Sequence, residues 1–140
     1  MKKTLTFIDS NVLIAAATSK GKQALLALAI LNDPAHEFAS SPFVRLEIVP
    51  KAVFHKQQLE VTFYERFFAD GQAIHNTPES YELLIKEAEK VGGQFGLNMA
   101  DALHIAAALD LAAEEFITAE RPTSPFKNIK GIKITSIYTP

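Results

Sequence analysis

The chain has 140 residues, 48% of them apolar, 21% charged and none of them cysteine. That is enough chain and apolar content for one domain with a packed core, and it excludes disulfides, thiolate zinc sites and a cysteine nucleophile. Fourteen basic and sixteen acidic residues give a net charge of −2. This excludes a protein that coats nucleic acid by bulk positive charge and requires any such contact to be local or metal-mediated.

The elements are expected in the following order. A strand over 4–8 ends at Asp9, and a short helix covers 12–17. A second helix, rich in Ala and Leu, covers 22–31 and is broken by Asp33-Pro34, because proline disfavours the α region in the residue before it. A strand over 37–40 leads to Ser41-Pro42, a serine cap followed by a proline suited to the first helical position. That helix is expected to break or kink at Pro50. A helix over 57–69 stops near Gly71, and a short strand covers 72–75. Thr77-Pro78 is expected to open a further helix, with Tyr81, Leu84, Ala88 and Val91 at helical spacing and Gly92-Gly93 as its end.

Asn98 precedes a helix over 99–113, a strand covers 115–118, and a proline-containing stretch leads to a last strand over 132–137. Strands alternating with helices imply parallel pairing through right-handed crossovers, hence an α/β sandwich over the single domain 1–140. The longest apolar run, 24–31, is far short of the ~20 residues that span a bilayer. Met1-Lys2-Lys3 resembles the basic start of a signal peptide, but Asp9 interrupts the apolar segment that should follow. The expectation is a soluble, cytoplasmic protein without membrane contact.

Certain acids stand in core-like company. Asp9 lies between Leu5-Thr6-Phe7-Ile8 and Val12-Leu13-Ile14, Glu47 within Phe43-Val44-Arg45-Leu46-Glu47-Ile48-Val49, and Asp101 within Met99-Ala100-Asp101-Ala102-Leu103. Burying an ionised carboxylate is costly without compensation. Arg45, two residues from Glu47, points to another side of the helix. A shared Mg²⁺ or Mn²⁺ would compensate several acids at once, since both prefer oxygen ligands. Asp9 ends the first strand, Asp101 begins a helix, and Glu120 follows the strand ending in Ile117-Thr118. In open α/β sheets ligands gather at the carboxyl ends of strands, so all four acids can face one cleft. The competing reading makes Asp9 and Asp101 helix caps and leaves Glu47 and Glu120 as solvated acids.

These residues also carry a family resemblance. Phe7-Ile8-Asp9-Ser10-Asn11-Val12-Leu13-Ile14 resembles the opening strand and turn of PIN-domain nucleases. Ser41-Pro42-Phe43-Val44-Arg45-Leu46-Glu47-Ile48 resembles their second block, and Ala100-Asp101-Ala102-Leu103-His104-Ile105-Ala106-Ala107-Ala108 their third. Phe116-Ile117-Thr118-Ala119-Glu120-Arg121 resembles the last, where Thr-x-Asp is usual. The size is similar to that of single-domain toxins of bacterial and archaeal toxin–antitoxin pairs.

The resemblance implies a PIN-like, Rossmann-like three-layer sandwich with a central parallel sheet. It implies a Mg²⁺- or Mn²⁺-dependent endoribonuclease whose acidic metal site is Asp9, Glu47, Asp101 and Glu120, with Asn11 and Thr118 as polar neighbours. RNA would be the substrate, with an antitoxin and a second copy of the chain as partners. His104 shares a helical face with Asp101 and is a candidate for substrate contact, with a packed core histidine as the alternative. Two departures mark this chain: Glu120 replaces the usual aspartate, and the stretch over 121–126 is longer and richer in proline than the usual turn. The functional alternative is a PIN fold that binds RNA or a protein without cutting. A receiver-like or phosphatase domain is disfavoured because Asp9-Ser10-Asn11 lacks an Asp-x-Asp arrangement.

Overall fold

A computed structural model describes residues 2–18, 20–69 and 73–140. Five parallel strands form one sheet: β1 (Thr4–Ile8), β2 (His36–Ser40), β3 (Ala73–His75), β4 (Glu115–Thr118) and β5 (Lys133–Ser136). Their spatial order is β3-β2-β1-β4-β5. The chain thus starts at the centre, builds outward to one edge, then crosses back over β1 to build the other.

The helices are α1 (Ser10–Thr18), α2 (Lys22–Leu31), α3 (Pro42–Phe54), α4 (Gln58–Ala69), α5 (Tyr81–Phe95) and α6 (Met99–Asp110), with a 3-10 turn at Pro125–Asn128. Right-handed crossovers put α1 to α4 over one face of the sheet and α5 with α6 over the other. Contacts among α1, α2, α3 and α4, and between α5, α6 and the 3-10 turn, follow that division, while α3 and α6 also meet each other. Phe7, Ile8, Phe116 and Ile117, on β1 and β4, are buried from both sides, as strands of a covered parallel sheet must be. Phe7 and Phe116 stack with ring centroids 5.5 Å apart.

Several expected boundaries move. Pro50 does not break α3, which runs on to Phe54. Val44, Ile48 and Ala52 bury one face on both sides of it, while exposed Leu46 and Pro50 leave the carbonyl that lost its donor open to water. The helix expected at Thr77-Pro78 starts at Tyr81, where the Ser80 hydroxyl accepts from Leu83 N–H at 3.2 Å. α6 stops at Asp110 rather than at 113. β2 begins one residue early at His36, and β5 is shorter than expected by one residue at each end. Gly71 and Gln72 lie outside the described residues. Among the aromatic residues of α3 and α4, Tyr64 and Phe67 are core, Phe63 and Phe68 are half-buried, and Phe54 is 80% exposed.

Gly92-Gly93 does not end α5. The terminator is Gly96, whose φ of 73° is the left-handed region that glycine enters without a side-chain clash. Gly92 serves packing instead: a Cβ there would stand 3.3 Å from Ala102 Cβ on α6, whereas one on Gly93 would meet nothing within 4 Å. Gly93→Ala is therefore expected to stabilise the chain by about 0.5–1 kcal/mol, the usual gain for a helix interior. Gly92→Leu is expected to destabilise it by about 1–3 kcal/mol through overpacking. Urea unfolding of both variants measures the contrast.

Candidate active site

The strand order reverses between β1 and β4, so this is the switch point where an open parallel sheet leaves a crevice at its carboxyl end. Asp9 follows β1 there and is 1% exposed. Its main-chain N–H bonds the Ile117 carbonyl at 2.9 Å, which locks it against β4. The Ser10 N–H donates to Asp9 Oδ1 at 2.8 Å, and the Thr118 hydroxyl donates to Oδ2 at 2.7 Å. The carboxylate also sits at the start of α1, where the helix dipole favours an anion.

Thr118 organises the opposite strand end. Its Oγ1 accepts from Glu120 N–H at 3.1 Å and from Asn11 Nδ2 at 3.3 Å. Asn11 Oδ1 accepts from Ala119 N–H at 2.8 Å, tying the first turn of α1 to the chain leaving β4. Asp101 lies in the first turn of α6, capped by Asn98, whose Oδ1 accepts from Asp101 N–H at 2.8 Å. The Asp101 carboxylate is half-buried and makes no side-chain hydrogen bond or ion pair among the described residues.

A model of the PIN domain matches residues 6–127. The chain belongs to the PIN-domain family. Its fold is similar to VapBC2 from Rickettsia felis bound to a DNA fragment from its promoter, with a TM-score of 0.70 and 16% identity over 95% of this chain and 98% of that one. It is also similar to a toxin–antitoxin complex from Klebsiella pneumoniae, at TM-score 0.68 and 18% identity over 96% and 99%. FitAcB from Neisseria gonorrhoeae gives 0.61 and 14% over 94% and 97%. At such identities the likeness is one of fold. No match is found among curated proteins.

Within this PIN domain the acids sense one another. Burial, then the charges of Asp9, Glu120 and Glu47, push the Asp101 carboxyl up to about 6 against the pull of His104. Burial likewise raises Asp9, partly offset by His104 and the Thr118 hydrogen bond. Glu47 goes the other way: His104 Nε2 lies 2.8 Å from its Oε1, and that bond holds the carboxyl below its usual range. A carboxylate of this kind only accepts, so Nε2 carries the proton. His104 is 1% exposed and turned towards Glu47, which is the geometry of a positioning residue.

Ser10 is the residue the sequence reading passed over. Its N–H bonds Asp9, and its side chain on α1 lies near enough to Glu47 on α3 to help hold that carboxyl below its usual range. A hydroxyl directly after the acid that ends β1 was the available signal.

The donor set is one of oxygens, which suits a hard divalent cation. Among the described residues no three acidic or imidazole side chains already enclose a position for an ion. The fit is therefore to a cation that keeps much of its water and takes one or two carboxylates, the habit of Mg²⁺. The unpartnered, half-buried Asp101, crowded by three other acids, is what such an ion would relieve.

Proposed function

We propose that this PIN domain is a Mg²⁺- or Mn²⁺-dependent endoribonuclease that hydrolyses RNA phosphodiester bonds and serves as the toxin of a toxin–antitoxin pair. The observation that carries the reading is Asp101: a half-buried carboxyl with no hydrogen-bonding partner for its side chain among the described residues, raised to about 6 by burial and the charges of three further acids. Asp9, Asp101, Glu120 and Glu47 are the residues assigned to hold the ion. Its chemistry, when bound, is to lower the pKa of a water and offset charge gathering on the phosphoryl oxygens. Asp9 is preset by Ser10 and Thr118, so its oxygens need no rearrangement to serve. His104 orients Glu47, while Asn11 and Thr118 hold the two strand ends at a fixed spacing. We assign Asn11, Thr118 and His104, the candidates for substrate contact, to positioning the carboxylates instead, since Thr118 and His104 are each 1% exposed and bonded to an acid of the site.

No single helix among the described residues is long and apolar enough to cross a membrane. An antitoxin segment and a second copy of the chain are the proposed partners. Exposed Leu46, Val53, Phe54 and Leu59 on α3 and α4 offer apolar surface for such contacts.

The test is turnover of RNA with Mn²⁺, lost on adding EDTA and restored by excess Mn²⁺. RNA binding without turnover under those conditions would assign the non-cutting alternative. Cleavage at subsaturating Mn²⁺ is expected to fall as the pH drops through about 6, because protonated Asp101 no longer attracts the ion. Saturating Mn²⁺ is expected to move that inflection downwards, and a pH–rate profile at two Mn²⁺ concentrations measures both.

A further inference from the structure

Beside the carboxylates, on the β5 side, lies a cavity of about 400 Å³, large enough for a small ligand. Thr118 lines it, and Thr118 also bonds Asp9 through its hydroxyl, so cavity and acidic site are neighbours across one residue. Arg121 and Lys127 stand at the cavity, and its apolar lining includes Pro122, Phe126 and Ile134. The stretch over 121–126 that builds it carries two prolines, Pro122 and Pro125.

The two cations are available. Neither has an ion-pair partner among the described residues. Arg121 is nonetheless held: its guanidinium carbon lies 5.2 Å from the Tyr138 ring centroid. Such stacking leaves the guanidinium fork free for a phosphate and reduces what is lost on ordering it. Ser136 anchors the segment by donating from its hydroxyl to the Glu120 carbonyl. Phe126, buried and 5.2 Å from the Phe116 ring, gives the cavity a rigid wall.

An acidic crevice repels a polyanion, and the chain's net charge does not help. Cations next to the crevice must hold the strand. Arg45 is spent on Glu65, at 2.5 Å, and on the Phe68 ring. Lys51 acts on Glu47, on the α3 side. Arg121 and Lys127 are left for the β5 side.

We propose that residues 121–129, with Tyr138 behind them, form a nucleotide subsite that grips single-stranded RNA next to the phosphate being cut. The two cations take a backbone phosphate, and exposed Pro122 with half-buried Ile134, backed by Phe126, takes the face of the adjoining base. The subsite rests on reading the carboxylates as an RNA-cleaving centre, and the test separates the two.

Binding of a fluorescent single-stranded RNA is measured in Mg²⁺ buffer on the Asp101→Asn chain, so that turnover does not intrude. Arg121→Gln with Lys127→Gln is expected to weaken binding about tenfold, and each lost phosphate contact to lower the slope of log K against log salt by about 0.7. Lys127→Arg is expected to retain binding. Tyr138→Leu is expected to weaken it and Tyr138→Phe to keep it, since Tyr138 acts through Arg121. In the cleaving chain the same changes should raise KM with kcat largely kept. Lys127→Gln alters an exposed side chain, so it keeps the test open should Arg121→Gln fail to fold. Unchanged affinity and salt slope in a chain whose parent cuts RNA overturn the subsite and leave the cleavage reading. A parent that binds through these cations without cutting overturns cleavage and leaves the subsite. A parent that does not bind RNA overturns both.

Discussion

Replacing Asp101 with asparagine is expected to abolish RNA cleavage, a fall of about a thousandfold or more, while making the metal-free chain more stable. The loss follows from removing a charge assigned to the ion. Metal stabilisation of the transition state is worth several kcal/mol, and each 1.36 kcal/mol is a factor of ten in rate. The gain in stability has the opposite origin. Asp101 has no side-chain partner among the described residues, and burial with three neighbouring acids raises it from 3.8 to about 6. A raised carboxyl binds its proton more tightly in the folded chain than in the unfolded one. Native stability is therefore greatest below the unfolded value and is lost as the pH rises from about 4 through 6. Asparagine mimics the protonated acid at every pH. The variant's advantage in thermal midpoint should be clear at pH 7.5 and gone by pH 4. An equal midpoint at pH 7.5, or a loss confined to activity at every pH, would count against crowding of the carboxylates.

Thr118→Val is expected to move activity and stability in the same direction. The shapes match, and valine suits the end of a strand. The hydroxyl's full inventory is in use, however: it donates to Asp9 and accepts from Glu120 N–H and Asn11 Nδ2. Its removal leaves a buried carboxylate oxygen short of a donor, which costs about 1.5–3 kcal/mol for a bond to a charged group. Asp9 would then rise further and hold the ion less well. Losing such a supporting bond typically lowers metal affinity or activity by about 10–100-fold. Unfolding and cleavage assays on Thr118→Val and Thr118→Ser together check this, with serine expected to keep most of both.

The legible part of the fold was the part set by local chemistry. Buried strands such as Thr4–Ile8 and Glu115–Thr118 stood out as short apolar runs, and Ser41-Pro42 signalled a cap that the structure has. What escaped depended on distant packing. Gly92 and Gly96 are indistinguishable in sequence, yet one permits close contact with α6 and the other ends α5. Pro50 looked like a break because the burial of Val44, Ile48 and Ala52 around it is a tertiary fact.

The site divides in the same way. The isolated acids were visible because a charge in apolar company is unusual. The bond from His104 to Glu47, the double role of Ser10 and the ring beneath Arg121 join residues far apart in the chain, so no local pattern announces them.

The central claim is that Asp9 and Asp101, with Glu47 and Glu120 beside them, hold a hydrated divalent ion. Crystals soaked in Mn²⁺ test it directly through anomalous scattering. The account predicts a peak against Asp9 and Asp101, absent from the Asp101→Asn chain. Well-ordered carboxylates with no peak between them, at Mn²⁺ concentrations that support any turnover, would contradict it.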